Sequence, residues 1–200
     1  MCGIVGYVGQ RDCVDVLMSG LTKLEYRGYD SAGIAVFDHG KIKVAKSKGR
    51  LKNLEQKMEQ EGRPNGHVGI GHTRWATHGE PSENNAHPHM SDDGNVVRIA
   101  ALFRSLHVPI GGFPFLFHPT DTEVAAKLLD YYYNGSPLDT IAETIRDLEG
   151  SYALGILFAD HPGEVYAVRR ESPLIVGLGK GESFIASDVP AILRYTKDYF

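Results

Sequence analysis

The chemistry in this 200-residue chain starts at its second position. Met1-Cys2-Gly3-Ile4-Val5-Gly6 sets a small cysteine directly after the initiator and ahead of an apolar run. Methionine aminopeptidase readily removes Met1 before so small a residue. The chain would then begin with a residue that carries both a thiol and a free α-amino group. A thiol titrates near ~8.5 and an α-amine near ~7.7–8.0. At neutral pH the amine can therefore take the thiol proton, directly or through a water, while sulfur attacks a carbonyl and forms an acyl-enzyme. Taken alone, Cys2 fits a small buried hydrophobe at a strand start better. The nucleophile reading needs a site around it.

Two segments offer one. Gly71-His72-Thr73-Arg74-Trp75-Ala76-Thr77-His78-Gly79 follows a strand-like run and gathers the side chains that an amino-acid site uses. Arg74 can hold a carboxylate bidentately, Trp75 can wall a pocket, and Thr77 and His78 add hydrogen-bonding capacity. Singly, an Arg is a solvated charge and a Trp a core filler; together at a strand end they read as a site. Leu24-Glu25-Tyr26-Arg27-Gly28-Tyr29-Asp30-Ser31-Ala32-Gly33 packs an Arg, two Tyr and an Asp between glycines that allow close backbone approach. His72, His78, His87 and His89 raise the question of a metal. No Cys or carboxylate completes a ligand spacing around His87-Pro88-His89, so they read as a hydrogen-bonded loop, with no metal and no cofactor.

The elements that must position these residues alternate. Ile4–Val8 reads as a buried strand, and Val14, Leu17, Met18, Leu21 and Leu24 mark a helix. Ala32–Phe37 and Lys41–Ala45 form a hairpin about Asp38-His39-Gly40. Leu51–Met58 is an amphipathic helix and Val68–His72 a strand. Thr122–Tyr133 and Leu138–Leu148 are helices, the first capped by Thr120 or Asp121. Tyr152–Phe158, Val165–Arg169, Leu174–Gly179 and Phe184–Ser187 are further strands. Strands, then two helices, then strands again predict an antiparallel α+β sandwich rather than a doubly wound parallel sheet.

Composition bounds the function. The length fits one domain with a substantial core. A formal charge of −4 leaves no basic footprint for nucleic acid, and no window reaches the apolar length of a membrane span. No signal peptide is read at the start, because Ile4–Val8 is short and lacks a preceding basic segment. The expectation is a cytoplasmic protein acting on a small molecule, with Cys2 and Cys13 reduced. A redox role for the Cys2 thiol stays a remoter reading, since no resolving partner is identifiable.

Met1–Gly6, Leu24–Gly33, His72–Gly79, Asn85-Ala86-His87-Pro88-His89 and Thr120-Asp121-Thr122-Glu123-Val124, in this order, resemble the glutaminase domain of the glutamine–fructose-6-phosphate aminotransferase family. Ser172–Gly179 and Phe184–Asp188 fit as well. Tyr29 and the Thr73-Arg74-Trp75 run resemble this family more than other N-terminal-cysteine glutaminases. The resemblance implies a four-layer αββα fold of N-terminal-nucleophile hydrolases, in which Cys2 attacks the side-chain amide of glutamine and releases ammonia, then glutamate. It implies that Arg74 clamps the glutamine α-carboxylate and Asp121 its α-ammonium, with Trp75, Thr77 and His78 completing the pocket. Arg27 and Gly28 are supporting residues beside the nucleophile. Residues 1–200 would form the glutaminase domain, C-terminally truncated at Phe200, and fructose 6-phosphate would be served by a sugar isomerase module that this chain lacks.

One stretch departs. Where the family has Val-Val-His-Asn-Gly-Ile-Ile-Glu-Asn, whose Asn and Gly form the oxyanion hole, this chain has Val96-Val97-Arg98-Ile99-Ala100-Ala101-Leu102-Phe103-Arg104. Reading the family's codons one base out of frame yields Ile99, Ala101 and Leu102 but not Ala100, so residues 98–119 fit a frame-shifted reading. Pro109, Pro114 and Pro119 preclude a helix there. The alternative expectation is a glutamine-binding remnant with weak or absent turnover, because an oxyanion donor contributes about 10²–10³ in rate.

Overall fold

The apolar run after Cys2 forms strand β1 (Gly3–Val8), the centre about which the rest assembles. The computed structural model describes residues 2–75, 80–90, 97–107 and 121–200, with backbone alone for 97–107 and 121. After β1 come α1 (Cys13–Leu24), a 3-10 turn at Glu25–Arg27, β2 (Ser31–Asp38), β3 (Lys41–Lys48), α2 (Leu51–Glu61) and β4 (Val68–Arg74). Then follow β5 (His89–Met90), β6 (Val97–His107), α3 (Asp121–Tyr132), α4 (Pro137–Asp147) and β7 (Glu149–Phe158). The chain closes with β8 (Tyr166–Arg170), β9 (Ile175–Gly179), β10 (Glu182–Ala186) and β11 (Asp198–Tyr199).

Two antiparallel sheets result. One runs β11-β9-β10-β1-β4-β2-β3, the other β5-β6-β7-β8. Period-two alternation along the strands builds three apolar layers between four layers of structure. Val5 and Tyr7 of β1, with Ala32, Ile34 and Val36 of β2, face Leu17 and Leu21 of α1 and Leu54 and Met58 of α2. The alternate residues Ile4, Ala35, Phe37 and Ile70 meet Ala153 and Leu157 of β7 between the sheets. The other face of β7, Tyr152, Leu154, Ile156 and Phe158, packs on Ala125, Leu128 and Leu129 of α3 and Ile141 of α4. This order, helices, sheet, sheet, helices, is the expected αββα arrangement.

Local chemistry accounts for the boundaries. Asp12 caps α1 by accepting from the Val14 amide at 2.9 Å. On β4 the positions facing α1 are glycines: a Cβ on Gly71 would stand 2.9 Å from Leu21 Cδ1, so the helix lies closer than a larger residue would permit. The β2–β3 hairpin turns at His39 and Gly40, both at positive φ (48° and 79°), one residue later than the Asp38-His39-Gly40 reading places it. Asp121 is the first residue of α3.

The stretch that departs from the family motif takes a regular place in the fold where it is described. Residues 97–107 form β6, paired along its length with β7, with one register shift between Phe103 and Ser105. The β-branched and apolar residues Val97, Ile99 and Leu102 suit a strand paired on both edges, with β5 and β7. Residues 108–120, with the three prolines, lie outside the described residues. None of the described helices is long and apolar enough to cross a membrane.

Candidate active site

Backbone pairing brings the candidate residues together. In the β1–β4 ladder Gly3 stands opposite Thr73, so Cys2 and Arg74 lie side by side one residue beyond that pair. On the other edge of β4, Ser31 of β2 stands opposite Arg74. The Cys2 Sγ donates toward the Trp75 carbonyl oxygen at 3.9 Å. Burial raises the Cys2 thiol above its ordinary value, opposed by this backbone contact and by the Arg74 charge. The second cysteine, Cys13, is fully buried, and burial followed by the Asp12 charge pushes it up to about 12.

Arg74 is buried at the end of β4. Burial lowers it from its ordinary value, with Cys2 and Asp30 acting the other way, and a guanidinium remains cationic through such a change. It donates to the Glu80 carbonyl at 3.5 Å, an oxygen that also accepts from the Asn85 side-chain amide at 3.1 Å. Trp75 is 41% exposed and edge-on to Tyr29, ring centroids 5.3 Å apart, so it serves no core. The Arg50 guanidinium sits over the Tyr29 ring at 5.6 Å.

The supporting residues hold this corner in shape. A Cβ on Gly28 would fall 2.6 Å from the Arg74 carbonyl carbon and 2.8 Å from the Trp75 nitrogen, so only glycine lets the turn pack on that backbone. The Asp30 amide donates to the Arg74 carbonyl at 3.0 Å. Arg27 is buried; its Nη1 donates to Asp188 at 2.8 Å and to the Ser187 carbonyl at 3.1 Å. Asp188 also accepts from Tyr26 at 2.5 Å. Ser187 exchanges hydrogen bonds with β1: its amide donates to the Ile4 carbonyl, and its Oγ accepts from the Ile4 amide, both at 3.0 Å. The turn after α1 is thus fastened to β1, the strand that follows Cys2. Asp188 has no role in the sequence reading; the signal that could have found it is a buried arginine in need of a counter-charge.

Thr77 and His78 lie outside the described residues. Asp121 opens α3, and its side chain is likewise undescribed. The altered oxyanion segment contributes the β6 backbone, and its side chains fall outside the description too. His72, His87 and His89 are buried and meet ring on ring. Among the described residues no group of three His, Cys, Asp or Glu is placed to hold a metal ion.

No family model matches the chain. Relatives among curated proteins do. It is 50% identical over 206 aligned positions to the glutamine–fructose-6-phosphate aminotransferase (isomerizing) of Caldanaerobacter subterraneus, covering all of this chain and 34% of that protein. The enzyme of the same name from Clostridium acetobutylicum is 52% identical at the same coverage. That of Pyrococcus horikoshii is 47% identical over 98% of this chain and 34% of its own. The chain therefore spans about a third of the length of these relatives. Among solved structures, the allosteric regulatory enzyme of purine biosynthesis superposes with a TM-score of 0.81 at 25% identity, covering all of this chain and 44% of that one. The glutamine phosphoribosylpyrophosphate amidotransferase of B. subtilis gives 0.77 at 23%, with the same coverage, a likeness of fold. By its full-length match at about half identity, the chain belongs to the glutamine–fructose-6-phosphate aminotransferase family, of whose members it spans the N-terminal, class II glutamine amidotransferase part.

Proposed function

We propose that the chain hydrolyses the side-chain amide of glutamine, with Cys2 as the nucleophile, and that residues 1–200 are the ammonia-producing domain of an enzyme that aminates fructose 6-phosphate. The observation that carries the reading is the placement of Cys2 beside the buried cation Arg74 at the open end of β1 and β4. Arg74 binds the α-carboxylate of glutamine, Asp121 its α-ammonium, and Trp75, Thr77 and His78 wall the side chain. Arg27 and Gly28 hold the corner. Fixing the α-carboxylate and α-ammonium anchors one end of glutamine and leaves the amide at its other end within reach of the sulfur, which removes most of the entropic cost of the encounter.

Once Met1 is removed, the α-amine of Cys2 takes the thiol proton as sulfur attacks the amide carbon. The tetrahedral intermediate collapses, the C–N bond breaks, and the amine returns its proton so that ammonia leaves. Water, deprotonated by the same amine, cleaves the thioester and releases glutamate and the thiol. The sugar acceptor binds to a part of the enzyme outside these residues. The place of action is cytoplasmic, where the thiol stays reduced.

Purified chain with Met1 removed is expected to release ammonia and glutamate from glutamine, and 6-diazo-5-oxo-norleucine to add once, on Cys2. A folded protein that neither hydrolyses glutamine nor takes the label overturns the proposal.

A further inference from the structure

Three buried histidines link the two elements that carry the proposed glutamine clamp. His72 stands in β4 two residues before Arg74. Its ring stacks on that of His87, with centroids 4.0 Å apart and planes 22° from parallel. His87 meets His89 of β5 edge-on at 4.8 Å. On its far side, His87 Nε2 lies 3.1 Å from Oγ1 of the buried Thr122, the residue that follows Asp121 at the start of α3. The His87 backbone is also seated. Its carbonyl presses on Gly33, where a Cβ would be only 2.2 Å away, and Gly33 is paired with His72 in the β2–β4 ladder.

We propose that His87 is a positioning residue for substrate recognition: stacked on His72 and hydrogen-bonded to Thr122, it sets the separation between Arg74 at the end of β4 and Asp121 at the start of α3. The inference rests on the reading of those two residues as partners of the substrate's carboxylate and ammonium. The two charges of an α-amino acid are held apart by a single carbon, so a clamp for them must be set to a fraction of an ångström. Arg74 belongs to the seven-stranded sheet, while Asp121 opens a helix that packs on the other sheet. His87 touches both sides. Burial, with the His72, His89 and Arg74 charges, holds its imidazole well below the ordinary value, so the ring is neutral. A neutral ring offers one donor and one acceptor, enough to bond a hydroxyl, and adds no positive charge to compete with Arg74 for the carboxylate.

The test compares glutamine hydrolysis by the 200-residue chain, Met1 removed, with that of Thr122→Val and Thr122→Ser. Val keeps the shape and deletes the hydroxyl; Ser keeps the hydroxyl. Expected is a rise of about tenfold in KM for Thr122→Val with kcat changed less than about twofold, and a KM within about twofold of the parent for Thr122→Ser. Labelling by 6-diazo-5-oxo-norleucine should slow in parallel, while labelling of Cys2 by iodoacetamide, which has no α-amino acid moiety, should not. A purely structural role lowers the active fraction instead, reducing apparent kcat at unchanged KM, and that result overturns the proposal. Should Thr122→Val fail to fold, Thr122→Ala against Thr122→Ser supplies the same contrast. If the parent neither hydrolyses glutamine nor takes the diazo label, the functional reading itself has failed, and the inference with it.

Discussion

The Cys2 sulfur and the Trp75 carbonyl oxygen are 3.9 Å apart, although 73 positions separate the two residues in the chain. Neither belongs to a strand: β1 begins at Gly3 and β4 ends at Arg74. The ladder between those strands brings to one place the two residues just beyond its last pairs. As the proposed nucleophile, Cys2 can turn its sulfur and α-amine toward a substrate without breaking a strand pair. The rigid part of the site is one residue deeper, where Arg74 is buried and Gly3 is pressed on Thr73. On the proposed reading, recognition falls to the strand residue Arg74 and reaction to Cys2 just outside its strand.

The two thiols should differ sharply in reactivity. The thiolate is the nucleophile. Cys13 is fully buried and pushed up to about 12, whereas Cys2, though burial raises it too, is partly exposed and has the Arg74 charge beside it. Under native conditions near neutral pH, iodoacetamide is expected to label Cys2 alone, and both cysteines only after unfolding. Mass spectrometry of tryptic peptides reads the outcome. Native labelling of Cys13 at a comparable rate would contradict the buried helix start.

Loss of the Arg27 counter-charge should cost stability more than activity. Asp188→Asn leaves the buried guanidinium bonded to the Ser187 carbonyl but without its carboxylate. Removing one partner of a buried pair is costly, and Asp188 is about a third exposed, so the expected loss is about 2 kcal/mol, below the cost for a fully buried pair. Because the clamp fastens the back of β1 rather than the substrate side, KM for glutamine should stay near that of the parent. Urea denaturation and steady-state kinetics test the two halves separately.

A change at Gly28 should cost both stability and activity. Its missing Cβ would meet backbone, the Arg74 carbonyl carbon at 2.6 Å and the Trp75 nitrogen at 2.8 Å, and backbone cannot rotate aside as a side chain can. Gly28→Ala must push β4's end away from the turn, which moves Arg74 and the Trp75 carbonyl relative to Cys2. The expectation is a loss of about 1–3 kcal/mol with a rise in KM. An alanine variant with parental kinetics would show that the corner is softer than its packing implies.

Sequence periodicity found most elements, because the helix faces and the alternating strands bury their apolar residues on cue. It located β1, α1, β4 and the helix pair α3–α4 to within a residue or two. Unusual side chains crowded into two short segments singled out Arg27 and Gly28 in one and Arg74 and Trp75 in the other, and the family resemblance joined them. What it could not read was pairing. The bond of Arg27 to Asp188 and the stacking of His72 on His87 join residues remote in the chain, and only the sheet order supplies their distances. The His-Pro-His segment reads from sequence as a hydrogen-bonded loop; what the sequence does not show is that its rings are buried, His87 against His72 and Thr122. The expectation after Val97 concerns the loss of an oxyanion motif, not of a strand. Strand formation depends on an apolar, β-compatible pattern, which 97–107 retains.

The same histidines predict an acid sensitivity with a definite sign. An unfolded histidine takes up its proton near ~6.5. Folded His89 is lowered to about 3, chiefly by burial and then by the Lys46 and Arg74 charges, and His87 is held well below its ordinary value. Between those limits the unfolded chain binds more protons than the folded one, so stability falls as pH drops from ~6.5 toward ~3, by about 1.4 kcal/mol per pH unit for each histidine. Above that window these groups contribute no pH dependence. Urea midpoints measured at about pH 7.5, 6 and 5 should therefore decline for the parent. They should decline less steeply for His89→Gln, which keeps a polar side chain but cannot take a proton. Equal slopes in the two proteins would mean that His89 is protonated in the folded state, against its burial beside Arg74.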